Sequence, residues 1–169
     1  MKKYIDCDGV ILDTETGLFD AYYEQKKLNP ELRKRTYLEQ LDWQYWIRQA
    51  KVIEDAIAIL REYDPSGADI LTMVHSMQEA IAKIEYFREQ KVRNNIIIVP
   101  DTVTKSSVVS AAGNILIDDS IRNLDDWQIN GGLPIYFGPK ESEHTTIDTL
   151  DDVLNPIKFE QTLQRIRFH

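Results

Sequence analysis

Asp6 and Asp8 stand two residues apart at the end of the apolar pair Tyr4-Ile5, and Gly9 follows at once. A second acidic pair closes another apolar run far downstream, in Ile115-Leu116-Ile117-Asp118-Asp119-Ser120. Carboxylates at the ends of buried strands are costly unless a cation or a proton compensates them. Two such clusters in one small chain are therefore expected to meet around a metal ion. A fold that satisfies this must end both strands at the same place.

The pattern between the two clusters says how that is done. Residues 2–6 read as a short buried strand. Residues 17–63 read as helical, broken at Asn29-Pro30, with Ile53, Ile57 and Leu60 on one helical face. Asp64-Pro65-Ser66-Gly67 is a strong stop. A strand over 68–72 leads to a helix starting near Ser76. Ser76 and Glu79 have capping-box spacing, and Met77, Ile81, Ile84 and Phe87 read as its apolar face. Further strands are expected over 96–99, 115–117 and 134–137, with a short helix through Leu124 and Trp127 and a helical tail from Leu150. Strands alternating with helices predict an α/β fold, a doubly wound and mainly parallel five-stranded sheet covered on both faces. The helical block after the first strand is too long for a simple crossover. It reads as a cap over 16–64, with residues 1–15 and 65–169 forming the core.

Composition narrows the partners. A chain of 169 residues that is 43% hydrophobic supports one compact domain with a small insertion. The formal net charge of −8 argues against a nucleic-acid polymer or an anionic membrane, since both call for a basic face. A small anionic substrate remains compatible, because local lysines and a divalent cation outweigh a global charge. The single Cys7 cannot form an intramolecular disulfide, which suits a reducing cytoplasm. No apolar run approaches the ~20 residues of a membrane helix. The opening Met1-Lys2-Lys3-Tyr4-Ile5-Asp6 meets acid too early for a signal peptide.

Four motifs thus stand at or just beyond predicted strand ends: Asp6-x-Asp8-Gly9, Thr72, Lys105 and Asp118-Asp119. Open parallel sheets bind ligands outside the carboxyl ends of their strands, at the point where strand order reverses. The motifs can therefore converge on one pocket. Each has a plain alternative: Asp-x-Asp-Gly as a turn, Asp118-Asp119-Ser120 as a helix cap, Thr72 as an ordinary strand end. Lys83 and Lys91 compete with Lys105. Cys7 reads as a small core hydrophobe, and His75 as an exposed residue at a helix start or a contact to a leaving group.

The order and spacing of these motifs resemble the haloacid-dehalogenase-like (HAD) hydrolases over nearly the whole chain. Within that superfamily, Lys105-Ser106-Ser107-Val108-Val109-Ser110-Ala111 running into Ile115-Leu116-Ile117-Asp118-Asp119 is most similar to the 5'(3')-deoxyribonucleotidases, as is Asp8-Gly9-Val10-Ile11-Leu12-Asp13. The resemblance implies that Asp6 is a nucleophile forming an aspartyl-phosphate and that Asp8 is the acid/base. It implies Mg²⁺ held by the Asp6 carboxylate, the Asp8 backbone carbonyl and Asp118. Lys105 and the Thr72 hydroxyl would bind phosphoryl oxygens, and Asp119 would orient Lys105 or a metal-bound water. The implied substrate is a small phosphorylated metabolite, a nucleoside monophosphate above all. Phe19, Tyr22, Tyr23, Trp43, Tyr45 and Trp46 then supply either base-stacking rings or the cap's own core. Thr14 departs from the nucleotidases, which place an aromatic there.

Other readings are a sugar-phosphate phosphatase and a phosphomutase, the latter needing a cap that excludes water more completely. Outside enzymes, a receiver-type phosphoacceptor also uses Asp, Thr, Lys and Mg²⁺, but with a lone acceptor Asp on its third strand. An inactive binding protein on the same fold would have lost motif residues, and here all are present.

Overall fold

The computed structural model describes residues 1–139 and 142–167. In chain order they form β1 (Lys3–Ile5), β2 (Leu12–Asp13), α1 (Leu18–Leu28), α2 (Lys34–Glu39), α3 (Trp43–Gln49), β3 (Lys51–Val52) and α4 (Ala56–Glu62). After a 3₁₀ turn at Pro65–Gly67 come β4 (Asp69–Val74), α5 (Met77–Glu89), β5 (Ile96–Pro100) and α6 (Lys105–Val108). The chain ends with β6 (Ile115–Asp118), α7 (Ile121–Ile129), β7 (Leu133–Phe137), β8 (Thr145–Ile147), α8 (Asp151–Leu154) and α9 (Pro156–Arg167).

Six strands, one more than the sequence predicts, make a parallel sheet in the order β5-β4-β1-β6-β7-β8. The extra strand is β8, three residues long and therefore invisible to periodicity. From β1 the chain winds to β4 and β5 on one side and to β6, β7 and β8 on the other, so the strand order reverses at β1. Register fixes the consequence. Ile5 pairs with Ile117, and the Asp6 amide donates to the Ile117 carbonyl at 2.9 Å, which sets Asp6 beside Asp118.

Alternating side chains sort the core onto two faces. Tyr4, Leu71 and Leu116 pack with Leu124 and Trp127 of α7 on one. Ile5, Ile70, Ile115 and Ile117 pack on the other with Phe87 of α5 and Val153 of α8. The second cluster continues into α1–α4 through Leu18, Tyr37, Trp43, Ile47 and Leu60, so the helical insertion shares the sheet's apolar core.

Two local expectations are corrected. The 17–63 block is four helices rather than a broken pair, and Lys51–Val52 pairs antiparallel with Leu12–Asp13 as a second small sheet. Glu54 and Asp55 follow with positive φ, reversing the chain into α4. The apolar face read for α5 is mostly on the outside: Met77 is 72% exposed, and Ile81 and Ile84 are also exposed. Of that face Phe87 is buried as expected, and Ala80, Tyr86, Glu79 and Lys83 go inward with it. Two charged residues can occupy an inward helical face when each finds a partner there, and both do.

Candidate active site

The chain's acids gather at the reversal point. Asp6 and Asp8 leave β1, Asp118 ends β6 and Asp119 follows it, while Lys105 is the first residue of α6 beyond β5. Asp6, Asp118 and Asp119 each bring an oxygen within 4.8 Å of the others. Lys105 Nζ sits between two of them, 2.7 Å from Asp6 Oδ1 and 2.6 Å from Asp118 Oδ2. Among the described residues the ammonium is the one partner of Asp6 Oδ1, whereas Asp118 also accepts from Ser120 and Asn123.

One buried ammonium against three carboxylates leaves negative charge unbalanced. Burial, with Asp118 and Asp8 nearby, pushes the Asp6 carboxyl up to about 8 despite Lys105. Burial and Asp118 push Asp119 up to about 7. Burial disfavours the Lys105 cation, but Asp118 and Asp6 more than reverse this and hold its ammonium above the usual lysine range.

The two acids of the downstream pair differ in what they touch. Asp118 is fully buried, and its oxygens accept from the Ser120 amide at 2.8 Å, from Asn123 Nδ2 at 3.0 Å and from Lys105. Asp119 makes no side-chain hydrogen bond to another described residue, and its carboxylate lies against the backbone of Gly9. A Cβ built on Gly9 would stand 1.9 Å from Asp119 Oδ2, and Gly9 has φ +74°. Glycine is thus required twice there, for the left-handed turn and for the approach of the acid.

Asp8 faces the opposite flank. Thr14 Oγ1 donates to its Oδ1 at 2.6 Å, and Lys83 Nζ donates to its Oδ2 at 2.6 Å. Burial works against the Asp8 anion, yet the Lys83 charge and these hydrogen bonds hold its carboxyl below the usual carboxylate range. Lys83 is wholly buried and also meets Glu79 Oε1 at 2.8 Å, the Met73 carbonyl at 2.9 Å and Thr72 Oγ1 at 3.0 Å. Glu79 Oε2 accepts from the His75 amide at 2.8 Å, so only half of the expected capping box forms; Ser76 Oγ accepts from the Glu79 amide. Thr72 is fully buried beside this group and does not line the cavity over the acids, so it is not placed to meet a phosphoryl oxygen in this structure.

Lys83, Glu79 and Thr14 are site residues that sequence reasoning did not assign. Lys83 stood only as a rival of Lys105; both lysines reach the acids, while Lys91 is exposed. Cys7, between Asp6 and Asp8 in the chain, is buried in the apolar core, and its thiol is pushed well above the ordinary value, by burial first and then by Asp8.

A cavity of about 640 Å³ opens over these groups. Asp6, Asp8, Lys105 and Asp119 floor it; Phe19, Lys34, Leu38 and Trp43 reach over it from the insertion, and Glu15, Asp101, Arg122 and Asp126 stand at its wall. Of the insertion's aromatic residues, Phe19 and Trp43 line the cavity; Tyr22 packs on Tyr37, and Tyr23 and Tyr45 are exposed. Lys34 Nζ lies 4.0 Å from the Phe19 ring centre, and Trp43 stacks on His75 at 6.4 Å.

No family model and no curated protein sequence matches the chain. Solved structures do. A HAD hydrolase of family IA, variant 3, from Entamoeba histolytica superposes with a TM-score of 0.62 at 15% identity, covering 98% of this chain and 99% of that one. A HAD phosphatase from Thermococcus onnurineus gives 0.58 at 12% identity, covering 93% and 98%. The D,D-heptose 1,7-bisphosphate phosphatase of Burkholderia thailandensis gives 0.54 at 12% identity, covering 93% and 98%. The likeness extends over whole chains at low identity and is one of fold: this protein has the architecture of the HAD-superfamily hydrolases. Among the described residues, no helix is long and apolar enough to cross a membrane.

Proposed function

We propose that this protein is a Mg²⁺-dependent phosphate monoester hydrolase working through a phosphorylated Asp6, with residues 16–64 as its cap. The observation that carries the reading is the crowding of Asp6, Asp118 and Asp119 around one lysine, a single positive charge against three acids. An all-oxygen donor set with surplus negative charge fits a hard divalent cation. Asp6, the Asp8 backbone carbonyl and one acid of the downstream pair would hold it. Asp119 has the freer lone pairs, so we assign it the ligand role that the sequence reading gave to Asp118; Asp118 then fixes Lys105. When bound, the ion supplies charge neutralisation between a phosphate and the Asp6 anion.

The remaining chemistry belongs to the chain. Asp6 Oδ attacks phosphorus, and the bond to the ester oxygen breaks. Asp8 gives that oxygen a proton as it leaves, then takes one from the water that hydrolyses the acyl phosphate. Lys105 holds Asp6 in place and neutralises a phosphoryl oxygen. Thr14 and Lys83 hold Asp8 as the anion here, so it acts as donor after taking a proton from solvent, which the negative charge of an entering phosphate favours.

For substrate we favour a nucleoside monophosphate, supported by the two aromatic rings, Phe19 and Trp43, over a cavity of suitable size. A sugar phosphate is the second reading, favoured by Glu15, Asp101 and Asp126, which offer acceptors to hydroxyl groups. The test is phosphate release from dUMP, UMP, a 3'-monophosphate, hexose phosphates and p-nitrophenyl phosphate, with Mg²⁺ and with EDTA. Mg²⁺-dependent release from nucleotides above sugars supports the reading. No release from any ester, or release unaffected by EDTA, overturns it.

A further inference from the structure

Lys83 is the buried charge that the hydrolysis scheme leaves unused. A wholly buried lysine is rare without a strong reason, since taking an ammonium out of water is expensive. Here the three donors of its ammonium face four acceptors within 3.0 Å: Asp8 Oδ2, Glu79 Oε1, the Met73 carbonyl and Thr72 Oγ1. These acceptors come from β1's exit, from β4 and from α5 itself, so the residue ties the acid/base to the neighbouring strand and to the helix behind it. Burial disfavours the cation, but Asp8 and Glu79 more than reverse this and keep it protonated. Glu79 is in turn held by the His75 amide and ring, and the His75 ring stacks on Trp43 of the insertion.

We infer that Lys83 is a positioning residue for Asp8: it pins Oδ2 so that Oδ1, the oxygen now shared with Thr14, is the one presented to the leaving group. This rests on the hydrolase reading above and extends it to a residue outside the four motifs. A carboxylate free to rotate would spend little time with either oxygen aimed at the ester, and small misplacements of a catalytic group cost large factors in rate. Because Lys83 is covered on every side, it acts through Asp8 and touches no substrate.

The experiment compares kcat/KM, which reports leaving-group departure, for an alkyl phosphate and for p-nitrophenyl phosphate in wild type and Lys83→Met. Alkoxide needs a proton from Asp8; nitrophenolate hardly does. The alkyl ester should lose about a hundredfold or more and the nitrophenyl ester under about tenfold, within the range a general acid contributes. In an Asp8→Asn background, adding Lys83→Met should change the alkyl rate by less than about twofold, because the two residues act as a unit. Thermal melts establish that each variant is folded. Should Lys83→Met fail to fold, Lys83→Met with Glu79→Gln removes both members of the ion pair and carries the same comparison. Equal losses on both esters, or additive losses with Asp8→Asn, would overturn the positioning role. A wild type without Mg²⁺-dependent turnover would instead overturn the hydrolase reading, so the two failures are distinguishable.

Discussion

Two buried lysines flank β1, and they solve opposite problems. Lys105 stands between Asp6 and Asp118 with Asp119 close by, one cation against three carboxylates. Lys83 stands between Asp8 and Glu79, and every donor it has is taken up. The acids follow suit: Asp6 is pushed up to about 8, whereas the Asp8 carboxyl is held below its usual range. One nest is electrostatically incomplete and the other closed. The difference teaches where an added cation belongs and where it does not: buried acids in excess of their one cation invite another, and a cation with full partners is a brace.

The largest break in this comparison is Asp6→Asn. An amide is a far poorer nucleophile, and turnover should fall by about three orders of magnitude or more in a phosphate-release assay. Ordinary turnover in that variant would move the nucleophile elsewhere.

Next in size is the response of the incomplete nest to pH. In the unfolded chain both carboxyls titrate near 3.8, but the fold holds protons on Asp119 to about 7 and on Asp6 to about 8. Between those limits the folded state binds more protons, so stability falls as pH rises. In EDTA, Tm should drop by at least about 3 °C between about pH 5 and pH 8.5, and Mg²⁺ should restore most of it. Asp8 contributes in the opposite sense, and below this window. A flat Tm in EDTA would mean that the nest carries no surplus charge.

Gly9→Ala sharpens the geometry. The left-handed φ costs about 1–2 kcal/mol for a residue with a Cβ, and that Cβ also displaces the Asp119 carboxylate. Chemical denaturation should register the loss, with weaker Mg²⁺ binding beside it. The smallest effect is expected at Ile81→Ser on the outer face of α5. Ile81 is 45% exposed, and the change in stability should stay within about 0.5 kcal/mol. A larger loss would mean that this face is buried in solution.

The same contrast explains what the sequence made legible. The acids that leave β1 and β6 lie at the ends of apolar strands, where a charge is conspicuous, so Asp6, Asp8, Asp118 and Asp119 could be read along with the sheet that assembles them. Lys83 and Glu79 lie inside a helix, where a charged residue ordinarily marks the solvent face. Periodicity therefore turned α5 the wrong way, putting Met77, Ile81 and Ile84 inside. Only the tertiary partners Asp8, Thr72 and the Met73 carbonyl make those charges affordable in the interior. Spacing alone also does not show that Asp118 takes up Lys105, Ser120 and Asn123 while Asp119 lies against Gly9, because adjacent residues on a strand end differ by the direction each points. The β2–β3 pair and β8 are too short to show a period.

The central claim is that the carboxylates leaving β1 and β6 share one cation. Calorimetric titration of Mg²⁺ into wild type, Asp119→Asn and Lys83→Met tests it most directly. One site should bind in wild type, weaken by about 10–100-fold or more in Asp119→Asn, and persist in Lys83→Met within a few-fold. Absence of binding in wild type, or equal affinity in wild type and Asp119→Asn together with loss in Lys83→Met, would contradict the account.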